Sequence, residues 1–158
     1  MSFYTRKLEK EDIEKIIPLR VALQKYDGIH YGNFVVDEEK LGEATREFLN
    51  ENINQETFMF GGFVDGELVS ICGFNLLKHF PDMHNLEGKI GFICSVFTKE
   101  EFRGKGFQKE TFTACLEYAK NLGIVRFELG TVNPKAIKMY QQFGFVFDQN
   151  AMKLKIKE

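Results

Sequence analysis

Hydrophobic and polar positions along the chain change period several times, and each change predicts an element. Phe3 to Leu8 alternates weakly, as a first strand does. Apolar positions then fall at helical spacing, at Ile13, Ile16, Ile17 and Val21, behind the start Lys10-Glu11-Asp12, whose acidic residues suit a helix N-terminus. Pro18 interrupts this stripe and predicts a kink or a split, and Asp27-Gly28 predicts its end. Gly28 to Val36 mixes aromatic residues with glycines and reads as a loop. Leu41, Ala44, Phe48 and Leu49 restore the helical period between Asp37 and Asn52. A hairpin follows, with strands Phe58 to Val64 and Glu67 to Leu77 around the two-residue turn Asp65-Gly66.

The polar, turn-prone stretch Lys78 to Gly88 reads either as a cover over a site or as a long connection. Lys89 to Thr98 has few charges in its middle, which predicts a central strand covered on both faces. A helix is predicted from about Lys105 to Asn121, with Phe112, Cys115, Leu116 and Ala119 on one side and Gly123 as its cap. Ile124 to Gly130 is a further strand. Asn133-Pro134 opens a short helix, because Asn caps well and Pro suits the first helical position; it carries Ala136, Ile137 and Tyr140 and ends at Gly144. Phe145 to Phe147 and Ala151 to Lys157 read as closing strands. In the second, Met152, Leu154 and Ile156 alternate with Lys153, Lys155 and Lys157, a basic row that reads as a solvated edge.

Composition narrows the class. At 158 residues, with 44% hydrophobic and 28% charged positions, the chain is predicted to be a single domain over 1–158 with a real core. A net charge of −2 gives no general affinity for nucleic acid or anionic membrane. No apolar run reaches the roughly 18 residues that span a bilayer, and the opening MSFYTRKLEKED lacks a signal peptide's apolar core. Cys72, Cys94 and Cys115 are odd in number and lie in apolar segments, which predicts buried free thiols in a reducing cytoplasm. No CxxC or ligand spacing points to a catalytic cysteine.

The chemistry concentrates after the central strand. The apolar run Phe92 to Phe97 leads through a charged loop to Arg103-Gly104-Lys105-Gly106-Phe107-Gln108, where the next helix begins. Free N–H groups and the positive dipole end of a first helical turn attract anions, and glycines let a pyrophosphate come close. The turn is not GxGxxG, and no GxxxxGK[ST] occurs anywhere in the chain, so taken alone it is either a phosphate holder or a plain surface turn.

The later segment Asn133, Ala136-Ile137, Tyr140 and Phe143-Gly144-Phe145 decides between them. With Phe102 to Gln108 it resembles the GCN5-related N-acetyltransferase (GNAT) family, and the likeness is strongest from Ile90 to Phe147. The resemblance implies an α/β fold of the acyl-CoA N-acyltransferase type, with a central mixed, largely antiparallel sheet flanked by helices. It implies that the sheet opens between the strands at Phe92–Thr98 and Val125–Gly130 to admit acetyl-CoA. The backbone of Val96, Phe97 and Thr98 would pair with the pantetheine arm. Arg103, Gly104, Lys105, Gly106, Phe107, Gln108 and Lys109 would form the pyrophosphate turn, held by backbone N–H groups from Gly104 to Lys109. Asn133 would contact the cofactor, and Tyr140 would stand near the thioester sulfur. Gln108 departs from the family, which carries Gly or Ala there, so its side chain must point away from the pyrophosphate.

The implied reaction moves an acetyl group to a primary amine, of a small molecule or a protein. An amine with a pKa near ~10.4 must first lose a proton. The N–H of Phe97 or Thr98 would stabilise the oxyanion, and Tyr140 would protonate the leaving thiolate as general acid. Tyr140 is otherwise a core aromatic. Glu128 is the matching candidate for general base, or a plain acidic residue on a strand, with Glu87, Asp82 and Ser95 as further candidates. His30, Tyr31, His79 and His84 lie in loops that would border an acceptor pocket, or stand exposed and uninvolved. His79 and His84 lack a supporting third ligand, so no metal is expected. Asp37, Asp82 and Glu87 near these loops suggest a cationic acceptor, or merely solvated loops. The resemblance also implies a homodimer. Two rivals stand beside it: a non-catalytic acyl-CoA-binding or regulatory module on the same fold, and a nucleotide-phosphate binder.

Overall fold

The computed structural model describes residues 1–156. Its centre is a five-stranded sheet in the order β1-β2-β3-β4-β5, from β1 (Phe3–Lys7), β2 (Thr57–Val64), β3 (Glu67–Lys78), β4 (Lys89–Thr98) and β5 (Arg126–Glu128). The first four strands are antiparallel neighbours, and β5 runs parallel to β4. The β2–β3 hairpin forms where Asp65-Gly66 predicts it, because both residues take positive φ, 48° and 85°.

Alternation along the strands builds a core on each face. Met59, Phe63 and Ile71 pack against α1 (Ile13–Asp27) and α2 (Glu38–Asn52) through Ile13, Ile16, Ile17 and Leu49. Phe58, Phe60, Phe74 and Ile93 point the other way, onto α3 (Phe107–Asn121) and α4 (Pro134–Gln142) through Phe112, Cys115, Leu116 and Tyr140. α2 starts at Asp37, whose carboxylate accepts from Lys40 N at 3.0 Å. Gly123, at φ 82°, closes α3.

Several expectations are corrected. Pro18 does not split α1, which runs unbroken from Ile13 to Asp27. Pro18 sits on the exposed side, where water can serve the carbonyl it leaves unpaired. Asp27-Gly28 does not end the helix, because Gly28 keeps helical dihedrals; a π-helical turn, Gly28–Gly32, continues it to Asn33 at φ 49°. The predicted loop Gly28 to Val36 therefore begins as helix. α3 starts at Phe107 and not at Lys105, because Gly106 takes a left-handed conformation. The fifth strand is only Arg126–Glu128, shorter than Ile124 to Gly130. β4 is central, yet its far face opens at Phe92, which is 37% exposed. The closing strands do not form: Phe145 to Phe147 and residues 151–156 lie outside any sheet, with Met152, Leu154 and Ile156 exposed. The last residue of that predicted strand, Lys157, lies outside the described residues.

Candidate active site

β4 and β5 begin together and then part. Their register is Ile90 with Arg126, Gly91 with Phe127 and Phe92 with Glu128, after which no pairing continues. β4 itself is bent by a bulge: Gly73 faces Cys94 but Ile71 faces Phe97, so one extra residue is accommodated near Ser95, at φ 52°. Beyond the bulge, β4 shows an unpaired edge on the side that β5 has left.

The register fixes which backbone groups line that edge. Lys99 N donates to Val69 O at 2.9 Å, so alternation directs the Phe97 N–H toward β3 as well. Thr98 faces the opening. Of the two oxyanion donors proposed from sequence, the geometry therefore offers Thr98 and turns Phe97 away. Arg103 Nε donates to Thr98 O at 2.9 Å, and the guanidinium lies over the rings of Tyr26 and Phe97. This ties the end of α1, the end of β4 and the glycine turn into one unit.

Gly104 and Gly106 take φ of 76° and 82°, and a Cβ at either would meet nothing within 4 Å. Their glycine is thus required by backbone conformation, and the space beside the turn is open. Gly106 has no side chain to cap α3, and the first intrahelical bond is Glu110 N to Gly106 O. The N–H groups of Phe107, Gln108 and Lys109 are left for an outside acceptor, with Arg103, Lys105 and Lys109 supplying positive charge. The Gln108 side chain turns inward to the sheet: its Oε1 accepts from Thr98 Oγ1 at 2.8 Å. The departure at this position therefore leaves the outer face of the turn clear.

Tyr140, on α4, belongs to the core cluster against which Val96 of β4 and Phe127 of β5 pack. It is 7% exposed and packs on Phe112 and Phe145, with ring centroids 5.5 and 5.9 Å away. Among the described residues its hydroxyl has no hydrogen-bond partner. Burial pushes its pKa well above the ordinary phenol value, and the nearby charges of Cys72 and Asp27 add to that. Asn133 caps α4, its Oδ1 accepting from Lys135 N at 3.0 Å, which occupies the oxygen and leaves its N–H groups to donate.

On the α1 and α2 face a second cleft, of about 310 Å³, adjoins the bulge. Its polar lining is Arg20, Thr45, Thr57, Asn75, Cys94 and Ser95. Glu128 is exposed on the strand pair beside it, opposite Phe92. Cys94 is part-buried, not buried as expected, whereas Cys72 and Cys115 are fully enclosed; all three are free. Sequence reasoning missed Arg20 and Asp27. The signal was present, since Arg20 is a cation inside the apolar stripe of α1 and Asp27 lies seven residues on, on the same side.

The other candidates lie elsewhere or are engaged. Asp82 pairs with Arg126 at 3.2 Å and accepts from the backbone of His84 and Asn85, which holds its pKa below the usual carboxylate range. Glu87 stands 3.5 Å from Lys89. With His79 and His84 they belong to the β3–β4 connection, at the end of the sheet opposite the glycine turn. The His30 ring lies tilted against Tyr26, with centroids 4.2 Å apart, and neighbours Tyr31. Among the described residues, no group of three or more His, Cys, Asp or Glu is placed to hold a metal ion. No described helix is long and apolar enough to cross a membrane.

Known proteins share this framework. The sequence model of the acetyltransferase (GNAT) family matches residues 23–145. A spermine/spermidine N(1)-acetyltransferase of Bacillus subtilis is 29% identical over 105 residues, 62% of this chain and 68% of its own. An L-ornithine N5-acetyltransferase of Arabidopsis thaliana is 38% identical over 79 residues, 48% of this chain and 34% of that one. Among solved structures, a predicted acetyltransferase from Clostridium acetobutylicum, solved with acetyl-CoA, superposes with a TM-score of 0.82 at 20% identity, over 98% of this chain and 96% of its own. A GCN5-related N-acetyltransferase from Ralstonia eutropha gives 0.80 at 18% identity, over 98% and 99%. At such identities these two likenesses are of fold.

Proposed function

The chain belongs to the acetyltransferase (GNAT) family, whose acyl donor is acetyl-CoA, and from that premise we propose that it acetylates the primary amine of a small molecule by direct attack. One observation carries this reading: the unpaired edge of β4 past Phe92, with the Gly104–Gly106 turn at one end and Tyr140 in the core cluster against which Val96 packs. The named relatives, acting on spermine, spermidine and ornithine, support a small amine as acceptor.

The residues present fit acetyl-CoA. The backbone of Val96 and Thr98 offers the pantetheine arm a strand edge to pair with. The N–H groups of Phe107, Gln108 and Lys109, flanked by Arg103 and Lys105, suit the pyrophosphate. Bound there, acetyl-CoA supplies the acetyl group as a thioester, and free CoA leaves once the amine has taken it. Thr98 N–H donates to the negative charge that develops on the acyl oxygen. Tyr140, protonated throughout the neutral range, gives its proton to the departing sulfur. Glu128 or a water beside it takes the proton from the ammonium before attack. Asn133 directs its amide N–H groups at the cofactor. The span 1–158 acts as a single domain, and the three free thiols suit the cytoplasm.

Release of free CoA from acetyl-CoA across a panel of amines tests this reading, with Tyr140→Phe and Glu128→Gln beside wild type. Turnover on a small amine, reduced in both variants, is expected. Cofactor binding without turnover on any amine would overturn it.

A further inference from the structure

The cleft beside the bulge is lined by donors and one cation. Among the described residues Arg20 is its one charged side chain, and no Asp or Glu lines it. A guanidinium stays charged at any working pH, so a half-buried one needs an anion or several acceptors. Arg6, Arg46 and Arg126 have carboxylate partners within 4.0 Å, and Arg103 has the Thr98 carbonyl. Arg20 has no carboxylate within that distance among the described residues; with its amide turned, Gln24 offers one oxygen at 2.9 Å. The Asn75 oxygen is taken by the Thr57 hydroxyl at 2.7 Å, so the Asn75 NH₂ is left to donate. Thr45 and Ser95 add hydroxyls.

We propose that this cleft receives an acceptor amine bearing its own carboxylate, a free amino acid with a side-chain amine being the simplest, and that Arg20 binds that carboxylate. The inference rests on the transfer reading above and names its acceptor class. At about 310 Å³ the cleft is at the small end of ligand pockets, which suits a free amino acid better than a protein segment. Ser95 joins the cleft to the open edge of β4, so an amine on a flexible arm reaches the acyl site from a carboxylate held at Arg20. Asp27, seven residues along α1, does not line the cleft, and its charge acts on Arg20 without making an ion pair within 4.0 Å. The acidic residues that suggested a cationic acceptor do not line the cleft: Asp37 caps α2, Asp82 holds Arg126 and Glu87 faces Lys89. A polyamine would bring two or more positive charges to a cleft whose one charged side chain is an arginine.

Calorimetry on the CoA-loaded full chain tests this with matched pairs: L-ornithine against putrescine, and L-lysine against cadaverine. Each pair differs only in the carboxylate. The amino acid is expected to bind at least about tenfold more tightly, as a bidentate Arg–carboxylate contact provides. Arg20→Gln should erase that preference by weakening the amino acid alone. Asn75→Asp, which keeps the acceptor for Thr57, should shift selectivity the same way. Equal or tighter binding of the diamines to wild type, no binding of the amino acids at millimolar concentration, or equal weakening of both members by Arg20→Gln would overturn the proposal. Binding is read without turnover, so bound ornithine with no CoA released from acetyl-CoA on any amine sinks the transfer reading and leaves the carboxylate site standing.

Discussion

Gln108 Oε1 accepts a hydrogen bond from Thr98 Oγ1 at 2.8 Å, which pins the first turn of α3 to the end of β4. Ser70 Oγ lies 3.0 Å from Thr98 Oγ1, so two buried hydroxyls depend on one amide. The side chain that breaks the glycine-turn pattern has become a brace behind it. Gln108→Ala should therefore leave cofactor affinity unchanged, since the backbone N–H remains, yet cost about 1–3 kcal/mol for the orphaned hydroxyls. Urea unfolding should show a lower midpoint with an unchanged slope. Weaker CoA binding with no loss of stability would show that the side chain acts on the phosphate instead.

Tyr140→Phe separates chemistry from packing. The phenol is buried on Phe112 and Phe145, so Phe fills the same space. Its hydroxyl has no partner to lose among the described residues, and stability should hold or rise slightly. Turnover should fall by about 10²–10⁴ if the hydroxyl is the general acid. The pH dependence has a definite sign. In the unfolded chain the phenol ionises near pH ~10, while burial holds the folded one above that. The folded state then binds more protons, so wild-type stability falls as pH rises through that region. The Phe variant should lose less stability there, though not none, because buried Cys72 and Cys94 act in the same direction. Denaturation midpoints measured from neutral to alkaline pH check both signs.

Local signals made the turn and α4 readable. Gly104 and Gly106 stand where positive φ is required, and Asn133-Pro134 caps α4 as its residue types dictate. Distant causes were not readable. Met152, Leu154 and Ile156 alternate as a strand should, but a strand needs a neighbour, and a three-residue β5 does not provide one. α1 passes Pro18 because the lost bond faces water, and it passes Gly28 because that glycine needs no left-handed turn. Arg20 was visible as a charge in an apolar stripe, but its setting depends on Asn75 and Cys94, remote in sequence and brought together only by the register.

Ser95 tests whether the bulge is held by its surroundings. At φ 52° its Cβ is strained, a cost of about 1–2 kcal/mol that a glycine avoids. Glycine also gains freedom in the unfolded chain, worth roughly 0.5–1 kcal/mol in the opposite direction. Ser95→Gly should thus fold with nearly wild-type stability. Ser95→Val, β-branched in the same conformation, should lose about 1–3 kcal/mol. Equal stability of the two variants would mean that the bulge carries no strain.

Cys94 reports on the charge of the cleft beside the bulge. Burial pushes its thiol up to about 11, against the opposing pull of Arg20 and a hydrogen bond from Ser95. The thiolate is the reactive form, so at pH 8 only about one thiol in a thousand is ready to react. Iodoacetamide should therefore label Cys94 at least about 100-fold more slowly than a free thiol of pKa ~8.5. The rate should climb with pH and level off only near 11. Arg20→Gln removes the cation that favours the thiolate, so labelling should slow further and its pH curve move upward. Peptide mass spectrometry across the pH series reads this directly. A curve that stays in place when Arg20 is removed would separate the guanidinium from the cleft floor, and with it the carboxylate partner assigned to Arg20.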